Sequence, residues 1–222
     1  MLYKENFVET LTILDGLNLL DHVILIGSWA EYLYEQCSVI DGFISTTKTM
    51  DIDFLVRNIR KPRERVNLVD AFQEKGYELS FRHTGVVTLI KDGFEVEFLA
   101  KQIGKPEPVV DSPNFGKLET LGHMSIIDAN TLTVVYQGVS VIIPHPAAFV
   151  LHKMIINKDR KAKQEKDANA VKNLVYALEE DDLMVKAFLA IYETLTVKET
   201  KSVKAFSEKY SLDLTDLVSV CF

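Results

Sequence analysis

Two stretches constrain this chain more than any others: Val23-Ile24-Leu25-Ile26-Gly27-Ser28, and Asp51-Ile52-Asp53-Phe54-Leu55-Val56 some two dozen residues later. The first is a short unbroken apolar run, the pattern of a buried strand, and it ends in Gly-Ser, where a helix starts. The second opens with two carboxylates one residue apart, so both side chains leave the same face of a strand. A helix N-terminus can hold phosphate through its free N–H groups, and paired carboxylates can hold magnesium. Together they are the minimum equipment for handling a nucleoside triphosphate.

The periodicity changes character once along the chain. Phe7, Leu11 and Leu14 predict an amphipathic helix over 3–18, followed by strand 23–27, a helix from Ser28 to Gln36 and strand 51–56. Pro62 suits the first turn of a helix lined by Val66, Val69 and Phe72 and stopped by Gly76. Strands are expected at 77–82, 86–91 and 94–100, with His83-Thr84-Gly85 and Asp92-Gly93 as turns. Residues 101–116 read as a loop, and 131–136 with 139–143 as a second hairpin. From Pro146 onward the spacing is helical: a helix over 146–160, stripes at Val171–Leu178 and Met184–Ile191, and a shorter fourth helix at Val203 and Phe206. The expected fold class is α/β (α+β), with a mixed sheet domain over 1–143 and a helical domain over 144–222.

The composition sets limits on this reading. With 222 residues, 47% apolar and 26% charged, the chain has the make-up of a soluble globular protein. A net charge of −7 argues against a broad electrostatic grip on nucleic acid, while leaving room for a local basic patch. Cys37 and Cys221 are too few and too far apart for a disulfide framework or zinc cluster. No signal-like start and no run of ~20 apolar residues occurs, so a cytoplasmic location without membrane contact is expected.

Asp51 and Asp53 stand roughly 7 Å apart along their strand, close enough to share a metal cluster. Aspartate is disfavoured in strands, so two of them alternating with Ile52 and Phe54 need a reason, and Mg2+ or Mn2+ binding supplies one. Strand 94–100 offers Glu95 and Glu97 on one face as a third carboxylate. Gly27-Ser28 taken alone is explained by a tight turn with Ser28 as helix cap; beside Asp51 and Asp53 it also suits the distal phosphates of an NTP. Trp29 reads as a packing residue, Cys37 as no nucleophile, and the five histidines, which lack ligand spacing, as surface or interface residues.

Apolar strand, Gly-Ser, helix, then Asp-x-Asp on the next strand resembles the polymerase-beta-like nucleotidyltransferase superfamily. Thr47-Lys48-Thr49-Met50-Asp51-Ile52-Asp53 is similar to the basic and Thr/Ser approach to Asp-x-Asp in its minimal and abortive-infection toxin-like branches. The resemblance assigns the third carboxylate to Glu97, within Val96-Glu97-Phe98-Leu99, and adds Lys48 to the nucleotide site. Helices of the toxin-like branch supply a lysine, an arginine and a Lys-Asp pair, which Lys153, Arg160 and Lys166-Asp167 match in order. It implies NMP transfer from an NTP to a hydroxyl of a tRNA, protein or small molecule, and an antitoxin partner. The rival reading is a catalytically inactive nucleotide- or partner-binding member. The longer interval between Gly-Ser and Asp-x-Asp, Glu97 for the more frequent Asp, and Ala170 where another Asp often stands are the departures.

Overall fold

The computed structural model describes residues 3–45, 49–59, 64–105 and 107–218. Helix α1 (Lys4–Gly16) leads through a 3-10 turn into β1 (Val23–Ile26), α2 (Ser28–Gln36), β2 (Asp51–Val56) and the short α3 (Leu68–Gln73). Strands β3 (Glu78–Phe81), β4 (Val87–Lys91), β5 (Phe94–Lys101), β6 (Val109–Ser112) and β7 (Gly116–Leu121) follow, then α4 (Ser125–Ala129) and the hairpin β8 (Thr131–Tyr136) and β9 (Val139–Pro144). The remainder is helical: α5 (Pro146–Ile156), α6 (Gln164–Glu179), α7 (Asp182–Glu193), α8 (Val197–Tyr210) and α9 (Thr215–Val218). None of the helices among the described residues is long and apolar enough to cross a membrane.

Seven strands form one mixed sheet, with β8 and β9 paired separately. The order is β1-β2-β5-β4-β3, and β5 is the organising strand. It runs parallel to β2 along its whole length, pairs antiparallel with β4 near its start and parallel with β7 near its end. One face of the β2–β5 pair is apolar, with Ile52, Phe54 and Val96 all but inaccessible and the Phe54 and Phe98 rings stacked at 5.5 Å. Period-two alternation therefore sends Asp51, Asp53 and Glu97 to the opposite face. Trp29 packs wholly inside against Phe7, ring centroids 4.1 Å apart. Buried apolar residues from α1 through α9 join in one cluster, so the sheet and the helices behind it share a core.

Four expectations need correction. The stretch 101–116 is no simple loop, because β6 pairs antiparallel with β7 around the turn at Pro113-Asn114. Helix α3 starts at Leu68 behind an Asn67 cap whose side chain accepts from the Asp70 N–H, and Pro62 lies outside the described residues. The helix expected over 146–160 ends at Ile156 and continues as two 3-10 turns, Asn157–Asp159 and Lys161–Lys163. Helix α8 is the longer of the last pair at 14 residues, entered through a capping box between Thr196 and Glu199.

Candidate active site

The site begins where β1 stops. Ile26 is the pairing partner of Asp53, and the next residue, Gly27, turns the chain with φ 72° and ψ −153° to cap α2. A Cβ there would stand 3.1 Å from Asp53 Oδ2, and the left-handed φ would strain any larger residue. Gly27 thus brings backbone against a carboxylate. Ser28 is the first helical residue, half-buried, and the cap is Gly27 with no side-chain hydrogen bond, which corrects the expectation of a Ser28 cap.

Parallel pairing sets Asp53 directly beside Glu97 and Asp51 beside Glu95. Removal from water, then the charges of Asp51 and Glu97, push the Asp53 carboxyl up to about 7, against the opposing pull of Lys163 and Arg160. Glu97 accepts a hydrogen bond from Thr88 Oγ1 at 3.2 Å and is ion-paired to Arg82, which also bridges to Glu119 on β7. Lys163 Nζ lies 3.8 Å from Asp51 Oδ2. Glu95 is exposed and stands outside the cleft. Among the described residues no three His, Cys, Asp or Glu side chains close around one point as metal ligands.

Opposite the sheet, α5 and α6 build a buried ion cluster. Asp167, 1% exposed, takes Lys153 Nζ at 2.6 Å on one oxygen and Arg160 Nε at 3.1 Å on the other. Lys153 and Arg160 do not share one helix as the expected 146–160 span would have it, since α5 ends between them; Asp167 brings them together instead. Lys166 is exposed on α6 and outside the cleft lining, and Lys163 takes the place beside the acids. Lys48 lies outside the described residues.

Asp51, Asp53, Glu97, Arg82, Lys153, Arg160 and Lys163 line a cleft of 210 Å³. Leu99, Leu121, Met124, Ile127, Phe149 and Ile156 add apolar lining. His152 also lines it, contrary to the surface position expected from sequence: it is 6% exposed and its Nε2 is buried without a hydrogen-bond partner. Burial, then the charges of Lys153, Arg160 and His123, hold that imidazole neutral, its pKa lowered to about 3. A larger cavity of 670 Å³ around Val56 and Lys101 sits at the far ends of β2 and β5, away from the carboxylates.

Sequence reasoning missed Arg82, Glu119 and His152. Arg82 arrives through the β3–β4 hairpin, for which no motif exists. Glu119 could have been found, because Lys117-Leu118-Glu119-Thr120-Leu121 alternates as a strand does. His152 is hidden by α5 itself, which is buried on nearly every side and so shows no solvent face in its pattern.

The fold is similar to that of an antigenic nucleotidyltransferase-like protein from Paracoccidioides brasiliensis, with a TM-score of 0.50 at 14% identity over 96% of this chain and 91% of that one. It is also similar to the antibiotic-resistance factor ANT(2'')-Ia, with a TM-score of 0.40 at 13% identity over 92% and 91% of the two chains. No curated protein matches the sequence itself. A family model described as nucleotidyltransferase matches residues 5–192, the greater part of both the sheet and the helices that close its cleft. The chain therefore belongs to a nucleotidyltransferase family.

Proposed function

We propose that this protein transfers a nucleoside monophosphate from an NTP to a hydroxyl of an acceptor, with Mg2+ or Mn2+ held by Asp51, Asp53 and Glu97. The observation that carries the reading is the register of β2 against β5, which sets Asp53 beside Glu97 with Asp51 on the same strand face. A carboxyl pressed to about 7 by burial and two neighbouring carboxylates is a concentration of negative charge that a hard divalent cation relieves, and all three donors are oxygens. When bound, such an ion supplies charge neutralisation at the phosphates and acidifies the attacking hydroxyl.

The remaining roles belong to the chain. The N–H groups at Gly27 and Ser28, with the Ser28 hydroxyl, seat the distal phosphates. Lys153 and Arg160, fixed by Asp167, set positive charge along one wall of the cleft, where it favours a triphosphate. Glu97, steadied by Thr88, accepts the proton of the acceptor hydroxyl. Lys48 and Lys166 belong to the proposed nucleotide set through the family resemblance, whose Lys, Arg, Lys-Asp order also supports the toxin-like branch and an antitoxin partner. In this reading residues 1–143 contribute the three metal-holding acids and Lys48, and 144–222 contribute Lys153, Arg160 and Lys166 with Asp167.

A second reading, binding without turnover, is favoured by one observation: Lys163 and Arg82 already lie on Asp51 and Glu97. Incubation with each α-labelled NTP, Mg2+ and cell extract separates the two. Wild type is expected to label an acceptor, and Asp51→Asn/Asp53→Asn to lose at least about 1000-fold of that label. Label that survives the double substitution excludes the proposed site. Nucleotide binding by calorimetry with no label from any NTP selects the second reading.

A further inference from the structure

The catalytic cleft is not the sole cationic concavity. A groove of 430 Å³ runs between the end of α5 and α8, on the side of α5 away from the cleft. Lys158, Lys198, Lys201 and Lys209 line it, no Asp or Glu does, and buried Met154, Ile155 and Phe206 form its floor. Three of these lysines come from α8, where positions 198, 201, 205 and 209 recur on one face with the small Ala205 between them.

Seven cations elsewhere among the described residues are ion-paired. Arg57, Arg82, Lys91, Lys101, Lys153, Arg160 and Lys163 each meet a carboxylate. Among the described residues none of the groove lysines does. Lys158 reaches Ser202 Oγ at 3.4 Å, while Lys209 donates to Gln164 Oε1 at 2.9 Å and lies over the Tyr210 ring. Four like charges gathered without counter-charge oppose one another, and they do so in a protein of net charge −7. An anionic ligand relieves that repulsion.

We infer that this groove binds the phosphate backbone of a single-stranded nucleic acid whose terminal hydroxyl is the acceptor in the cleft. The inference rests on the transferase reading above and names its acceptor class. A narrow groove with an apolar floor suits a single strand, whose phosphates meet lysines while its bases meet the floor. A wide duplex would press against the acidic remainder of the surface. The groove also leads somewhere. Helix α5 turns Lys153 and Ile156 to the cleft and Met154 and Ile155 to the groove, and the segment 157–163 rounds its end. That segment carries Lys158, Arg160, Lys161 and Lys163 against one acid, Asp159, a net-cationic path from one concavity to the other.

The test is fluorescence anisotropy with an end-labelled 12-nucleotide single strand, as RNA and as DNA, without NTP. Four phosphate contacts at ~0.7 counterion each predict a slope near −3 in log K against log salt, about 50-fold weaker binding between 50 and 200 mM KCl. The variant K158Q/K198Q/K201Q/K209Q changes only exposed side chains, so its melting temperature should match wild type. It is expected to bind at least about 30-fold more weakly at 50 mM KCl with most of the salt slope gone. Asp51→Asn/Asp53→Asn should bind the strand as wild type does, which separates this inference from the test of the chemistry. Preference for RNA over DNA, or its lack, identifies the strand. Equal binding by the quadruple variant, no binding of either strand, or displacement by a polyglutamate peptide at equal charge overturns the inference.

Discussion

Asp53 and Asp167 are both aspartates that folding draws away from water, and their surroundings are opposite. Asp167, on α6, has a lysine and an arginine within 3.1 Å, one on each oxygen. Asp53, on β2, has carboxylates as its strongest charged neighbours, with Lys163 and Arg160 acting from further away. The first arrangement is compensated in charge, with Asp167 Oδ2 paired to Arg160 but not hydrogen-bonded, and ties α5 to α6. The second is left in deficit, and such a deficit can attract a cation, whereas a fully neutralised carboxylate has nothing to offer one. The two acids thus differ in who stands next to them as well as in depth, Asp167 being buried and Asp53 half-buried.

The largest effect should come from breaking the complete cluster. Asp167→Ala strands the buried Lys153 without its carboxylate and should cost about 3–5 kcal/mol in urea unfolding, because an unpaired interior charge remains. A loss below about 1 kcal/mol would show that the cluster holds nothing together.

Asp53→Asn should act with the opposite sign. The folded protein keeps the Asp53 proton up to about 7, whereas the unfolded chain releases it near ~3.9. Between those values the folded state binds more protons, so wild type loses stability as pH rises from 4 to 7. In metal-free buffer the variant should therefore match wild type at pH 4 and exceed it by about 1–3 kcal/mol at pH 8. Parallel stability curves for the two proteins across that window would put Asp53 in the same class as Asp167.

Arg82→Ala should be the mildest. Its ion pairs are substantially exposed, with Arg82 at 42% and Glu119 at 44%, so their loss should cost under about 1 kcal/mol. The same change uncovers Glu97, and Mn2+ affinity measured by paramagnetic titration should rise several-fold. Unchanged affinity would mean that Glu97 is no part of the cation site.

What could be read in the sequence follows the same division. Strand β2 and helix α2 fall where alternation and the Gly-Ser signal put them, residue for residue, because period two and a chain-reversing glycine are local properties. Strands β6 and β7 stayed hidden because Pro106, Pro108, Pro113 and Gly116 punctuate them as they would a loop. The end of α5 at Ile156 could not be seen either, since the Lys and Asp residues beyond it are compatible with a continuing helix. Asp51, Asp53 and Glu97 were legible through their spacing and through resemblance. The cations above them were less so: Arg82 crosses from a hairpin and Lys163 from a 3-10 turn, placements that only tertiary packing creates.

The parallel alignment of β2 with β5 has a consequence for how the molecule comes into being. Asp53 and Glu97 are 44 positions apart along the chain yet adjacent in the sheet, and parallel neighbours cannot be closed by a tight turn. A growing polypeptide therefore lacks the acidic pair until β5 has emerged and docked, and it lacks the facing cations for some sixty residues more. Such long-range closure is slow compared with forming a helix or hairpin. A chain that ends after β5 therefore holds at most the acids of the cleft, without the cations that face them from 153–163.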